Sequence, residues 1–343
     1  MRHLTILLFA AVLAGCDRQP KTAAPAEAPV LDELSTALQD MEQRILRDPQ
    51  NAALYAERAR LFERFAKPNE AIADWKRALA VDSANAAYHI ALGDLYYHSL
   101  KVDEADAAFN KALALEPGNN EARLKVAEMK LMLRQYKPSM DLVNEALRSD
   151  PNLSHGYFLK GWIYMETGDT GRAISSYRTA VEQEPDNYRA WMELATLHAQ
   201  RRDPLALQYY TTALSLQPNS VEAWYGKGLF AQENGRDSLA LACYDSIKYI
   251  DPRNPAAWYN SGYVRLEHLN DALRAVKDFT AATKLAPKDV NAWYNRGLAY
   301  ERKGSLDSAA ADYRHALDLE PRYEPAAMGL QRLQDEGVKV KVR

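Results

Sequence analysis

Imidazole moves protons near neutral pH and binds metals, so the seven histidines are the first candidates for chemistry. They stand at His3, His89, His98, His155, His198, His268 and His315, and no two lie four residues apart. Paired metal ligands on one helix need that spacing. Neither an HExxH motif nor a Cys/His cluster occurs. A GxSxG elbow, a phosphate-cradling glycine loop and a GxGxxG turn are also missing from the sequence. The two cysteines are Cys16 and Cys243. Cys243 falls in an apolar helical stretch and reads as a small packed hydrophobe, since a reactive thiol needs an open, electropositive setting. The sequence therefore assigns no catalytic residue, no metal and no cofactor, and it predicts a chain that is not an enzyme.

Cys16 is a different matter. Met1-Arg2-His3 precedes an almost wholly apolar run from Leu4 to Leu13, which reads as a signal peptide and is too short to span a bilayer. The run ends in Leu13-Ala14-Gly15-Cys16, which resembles the bacterial lipobox. That resemblance implies cleavage before Cys16 and lipidation of it, with the chain held at the cell envelope by acyl groups worth about 0.8 kcal/mol per buried CH₂. With Cys16 modified, an internal disulfide is excluded and stability rests on packing. Residues 16–30 are rich in Ala and Pro and read as a tether spanning roughly 20 Å. Asp17 is a residue that retains some lipoproteins at the inner membrane, so the membrane stays open, and the expectation leans to the outer one with the protein facing the periplasm.

The elements that follow are set by period. The chain has 343 residues, 47% of them hydrophobic, with a net charge of -3 and mixed signs throughout. That excludes a nucleic-acid groove or an electrostatically bound membrane surface. From residue 49 the prolines form a ladder: Pro49, Pro117, Pro151, Pro185, Pro218, Pro252, Pro287 and Pro321, with Ser83 in the one open slot. From Pro117 to Pro321 the intervals are 34, 34, 33, 34, 35 and 34 residues. Proline lacks the N–H that would continue a helix, so each rung ends a unit. Within the unit, the eighth place is always small: Ala59, Gly93, Ala127, Gly161, Ala195, Gly228, Gly262 and Gly297. The twentieth is small as well, from Ala71 to Ala309. Place 24 is large, from Trp75 to Tyr313, and place 27 is alanine except at Ile247. Place four carries Trp191, Trp224, Trp258 and Trp293 in the later units.

This pattern resembles the tetratricopeptide repeat family over residues 52–323. The resemblance implies an all-α solenoid, a right-handed superhelix of eight helix pairs: 52–85, 86–119, 120–153, 154–187, 188–220, 221–254, 255–289 and 290–323. The fifth unit is one residue short and the seventh one long. Both changes are expected near the turn inside the pair, at Arg201–Leu205 and His268–Leu273. Apolar spacing at Leu31, Leu34, Leu38, Met41 and Ile45 predicts a capping helix within 31–48. Residues 324–343 are expected to form a closing helix, with Pro325 in its first turn, and a frayed tail.

In this family the first helix of each pair lines a concave groove. The resemblance thus assigns Phe158, Trp162, Met192, Tyr225, Tyr259, Asn260, Tyr263, Tyr294 and Asn295 to a partner-binding surface. The amides of Asn260 and Asn295 would both donate and accept toward an extended peptide backbone. The paired basic clamp that some members use for a C-terminal carboxylate is not assembled, although Lys125 and Arg189 lie on the groove. Glu57, Arg60, Glu63 and Arg64 give the first unit a charged inner face. Lipid-anchored members of similar build recruit peptidoglycan enzymes, pilot secretin or pilus subunits, or belong to assembly machines. The implied partners are proteins or extended peptides of the envelope. The competing expectation is a small-molecule- or glycan-binding lipoprotein whose Trp162, Tyr225, Tyr259 and Tyr263 stack on sugar rings.

Overall fold

The computed structural model describes residues 27–338, and among them every regular element is helical. The signal peptide, Cys16 and the last five residues lie outside the described residues. The chain divides into two units, one ending at Gly118 and one beginning at Asn119.

The first unit opens with α1 (Glu27–Arg47), followed by the pairs α2 (Ala52–Arg64) with α3 (Pro68–Val81) and α4 (Ala86–His98) with α5 (Val102–Leu115). Helix α1 starts earlier than expected, so residues 27–30 are helical where the tether was expected to continue. Its Leu34, Met41 and Ile45 are buried, and the last two cluster with Leu54 of α2. That burial is what caps the first pair.

The second unit holds six more pairs and a closing helix. They are α6 (Asn120–Met132) with α7 (Tyr136–Ser149), α8 (Ser154–Glu166) with α9 (Thr170–Gln183), α10 (Tyr188–Gln200) with α11 (Leu205–Leu216), and α12 (Val221–Glu233) with α13 (Asp237–Ile250). Then come α14 (Pro255–Tyr263) with α15 (Ala272–Leu285), α16 (Val290–Arg302) with α17 (Leu306–Leu319), and the closing α18 (Glu324–Asp335). Contacts run mainly between helices adjacent in sequence, as in a repeat array.

Three devices recur along the pairs, although α8 follows Leu153 with no side-chain cap and the third repeat has Val143 where others have a ring. The first is an N-cap: Asn51, Asn85, Asn119, Asn187, Ser220, Asn254 and Asp289 each accept a bond from an amide in the first turn of the following helix. The second is a left-handed residue in the turn between partners. Ala66, Leu100, Arg134, Arg202 and Asn270 take it without being glycine, alongside Gly168, Gly235 and Gly304. The third is the pairing of a small residue with a ring. A Cβ on Gly93 would sit 2.5 Å from the Phe109 ring, one on Gly161 2.7 Å from Tyr177, and one on Gly297 2.7 Å from Tyr313. These rings are about fully buried, each worth roughly 1.5–3 kcal/mol by analogy with phenylalanine.

The long seventh repeat departs from expectation. Its extra residue is absorbed before the turn, in a π turn at Val264–His268 that finishes α14. Val264 and Leu266 both stay in the core, with the part-buried Arg265 between them. The Leu266 carbonyl accepts from Arg302 at 2.7 Å, which supplies a partner inside the irregular turn.

Candidate binding surface

The nine expected groove residues all lie on first helices: Phe158 and Trp162 on α8, Met192 on α10, Tyr225 on α12, Tyr259, Asn260 and Tyr263 on α14, Tyr294 and Asn295 on α16. Their surroundings sort them into two kinds. Phe158, Met192 and Asn295 are only 3%, 8% and 8% exposed. Trp162, Tyr225, Tyr259, Asn260, Tyr263 and Tyr294 are half-buried, each keeping part of its surface open.

The place-five rings rest on the place-24 rings of their own repeats. Phe158 lies 5.5 Å from Tyr177, Tyr225 6.5 Å from Tyr244, Tyr259 5.7 Å from Phe279 and Tyr294 5.7 Å from Tyr313, in tilted or edge-on arrangements. The Arg189 guanidinium sits 4.7 Å over Phe158. The two asparagines differ sharply. Asn295 donates to the Tyr259 hydroxyl at 2.8 Å and to the Asn291 carbonyl at 3.0 Å, so both its N–H groups are spent inside the protein. The Asn260 side chain has no hydrogen-bond partner among the described residues, so it is free to bond a ligand.

Charged groups on the first helices of either unit are largely tied to their own chain. Glu57 receives a two-pronged bond from Arg44 at 2.8 and 3.0 Å. Glu63 accepts from the Trp75 indole at 2.6 Å, with Arg60 over that ring at 5.3 Å. The same position-12 to position-24 bond recurs as Gln232 with Tyr244 at 2.8 Å and Glu301 with Tyr313. Burial pushes Glu193 above the usual carboxylate range, Arg189 opposing and Glu222 reinforcing that shift.

The histidines are structural ties. His198 meets Asp203 at 2.7 Å, His268 meets Asp237 at 2.6 Å, and His155 lies 3.6 Å from Glu128. Among the described residues no group of three His, Cys, Asp or Glu is placed to hold a metal ion, and no helix is long and apolar enough to cross a membrane.

One device was not read from the sequence. The indole N–H groups of Trp191, Trp224, Trp258 and Trp293 donate to the carbonyls of Pro185, Pro218, Pro252 and Pro287 at 2.8, 2.8, 3.1 and 2.9 Å. Tyr55 and His89 reach the carbonyls of Pro49 and Ser83 in the same way. The constant six-residue interval between a donor at place four and the preceding rung was the available signal.

The tetratricopeptide repeat profile matches residues 158–206, 199–255 and 261–324, and a second profile of the same description matches 86–119. The chain belongs to the tetratricopeptide repeat family. Among solved structures, the C-terminal part of a TPR repeat-containing protein from Cytophaga hutchinsonii superimposes with a TM-score of 0.60 at 18% identity, covering 70% of this chain and 99% of that one. At that identity the likeness speaks for the repeat fold alone. Among curated proteins, the general transcriptional corepressor ssn6 of Schizosaccharomyces pombe is 30% identical over 46% of this chain and 11% of its own length. Protein O-mannosyl-transferase TMTC1 of Homo sapiens is 33% identical over 24% of this chain and 10% of its own. The chain thus spans about a tenth of the length of these relatives. The repeat fold serves typically as a non-enzymatic scaffold for protein partners.

Proposed function

We propose that this chain is a protein-binding scaffold held to a bacterial envelope membrane through Cys16. Its partner lies as an extended segment along the first helices of repeats 4 to 8. The observation that carries this reading is the half-buried row Trp162, Tyr225, Tyr259, Asn260, Tyr263 and Tyr294. Rings supply area at low entropic cost, and the unengaged amide of Asn260 supplies both halves of a backbone hydrogen bond. Asn295 acts one step behind the surface by fixing the Tyr259 hydroxyl. Phe158 and Met192 support the row from beneath. The lipid anchor would keep this surface near the membrane, on the periplasmic face of the outer membrane, and many modest contacts along it would add by multivalency.

The test replaces Tyr263 with a photoreactive phenylalanine analogue in living bacteria. Crosslinks to a small set of envelope proteins, lost on Asn260→Ala, support the reading. A crosslinking pattern no different from one with the analogue at a convex position refutes it. Metabolic labelling with an alkyne fatty acid tests the anchor: Cys16→Ala should abolish incorporation.

A further inference from the structure

The tryptophans at place four offer an internal comparison. In three of four repeats the chain covers its own indole ring. Tyr209 lies 5.7 Å from Trp191, the Lys248 ammonium 4.5 Å from Trp258, and His315 3.9 Å from Trp293. Trp224 has a cation only from its own helix, Lys227 at 5.5 Å. The positions equivalent to those three covering groups hold Cys243 and Leu214, both buried, and Ser246, which is too small. A concavity of about 510 Å³ results, lined by Pro218, Asn219, Trp224, Asp245, Ser246 and Tyr249 among others. At its rim stands Tyr249, 89% exposed, a large ring with no hydrogen-bond or ring partner among the described residues.

We propose that this concavity is a binding site for a neutral saccharide. The Trp224 indole is fixed by its bond to Pro218, so it presents a rigid apolar platform that need not be ordered on binding. A pyranose offers a flat C–H face for such a ring and equatorial hydroxyls at its edge. The Asn219 amide and the Tyr249 hydroxyl, both unpartnered among the described residues, and the half-exposed Asp245 carboxylate stand ready to bond those hydroxyls. The charge argues for a neutral ligand. Asp245 is already balanced by Lys248 at 3.1 Å, so no uncompensated charge awaits a counter-ion. A purely apolar side chain would leave the polar rim without partners. The site is separate from the aromatic row on the first helices, and either can fail without the other.

The experiment follows the six tryptophan indole N–H resonances of the full chain by ¹⁵N NMR, with Trp224→Phe used for assignment. Tri-N-acetylchitotriose and maltotriose are the neutral probes, and trilysine is the cationic one. At least one sugar should shift the Trp224 resonance with a dissociation constant of about 1 mM. Tyr249→Ala, at an exposed position that leaves the fold intact, should weaken binding at least about tenfold. Ser246→His, which copies the covering group of repeat 8, should do the same. Glu182→Gln, at an exposed position outside both surfaces, should leave sugar binding unchanged. Absence of a Trp224 shift with both sugars overturns the proposal, as do equal binding by Tyr249→Ala or an equal response to trilysine.

Discussion

The Arg265 guanidinium, carried on the π turn that ends α14, is bonded to the buried carboxylate of Asp278 on α15. In the first and last repeats the same carboxylate position is served from place seven: Arg58 bonds Asp74 at 2.5 and 2.8 Å, and Arg296 bonds Asp312 at 2.7 Å through two nitrogens. The seventh repeat has Ser261 there, with a hydroxyl that is buried and unpartnered. Its inserted residue delivers the missing cation from another direction, with Lys248 assisting at 3.5 Å. Arg265→Met should therefore destabilise the second unit by about 3 kcal/mol, because it strips a buried carboxylate of its main partner. Deleting Arg265 and introducing Ser261→Arg together should recover most of that loss. Urea unfolding of the three proteins measures both.

The small places admit no growth. A Cβ on Gly228 would lie 2.9 Å from the Tyr244 ring and 3.0 Å from the Cys243 Cβ, and one on Gly262 2.9 Å from Phe279. Gly228→Leu and Gly262→Leu should each cost roughly 1–3 kcal/mol or more by overpacking. A thermal melt unchanged in either variant would contradict the packing described.

Strain at the turns points the other way. Leu100 has φ 59° while 85% exposed, and Arg134 has φ 57°. A side chain in this region costs about 1–2 kcal/mol, and glycine removes that cost while adding chain entropy of about 0.5–1 kcal/mol. Leu100→Gly and Arg134→Gly should each gain a few tenths to about 1 kcal/mol, visible as a higher Tm.

Cys243 is fully buried, and burial pushes its thiol up to about 11, against a small opposing pull from Lys227. At pH 8 it should be a protonated thiol out of reach of disulfide reagents. Labelling should proceed only when repeat 6 opens, so its rate in increasing urea should track loss of helicity.

Acid should loosen the C-terminal cap. Burial pushes Glu301 up, but bonds from Arg332 at 3.0 Å and from Tyr313 outweigh it, so its pKa lies below the ordinary 4.5. A depressed carboxylate contributes stability above 4.5 and loses it as pH falls through the folded value. The Arg332 side chain is 44% exposed, so solvent screening limits the contribution to about 1 kcal/mol. Glu301→Gln should lower stability at pH 7 and flatten the acid limb of the stability curve below pH 4.5, read by urea midpoints across pH.

The repeat was legible because close packing leaves few residues tolerable at a given contact. A ring at Tyr177 forces glycine at 161, and Asn187 before a helix announces its cap. What escaped was decided by partners the period does not name. The length of the seventh repeat was visible, but its place was set by Asp278 needing Arg265 rather than by the ease of lengthening a turn. Asn260 and Asn295 stand at the same repeat position, and the Tyr259 hydroxyl with the Asn291 carbonyl distinguishes the occupied amide from the open one. Residues 27–30 read as tether by composition yet extend α1.

The indole bonds also say where this chain can be cut. Each runs from the first helix of a repeat back to the loop that precedes it, so the repeating unit begins at a proline and not at the helix three residues later. A fragment starting at Pro218 keeps the acceptor for Trp224, whereas one starting at Val221 leaves that indole bare. Borders at residues 185, 218, 252 and 287 are the joints at which repeats of this array can be exchanged with every indole bond kept.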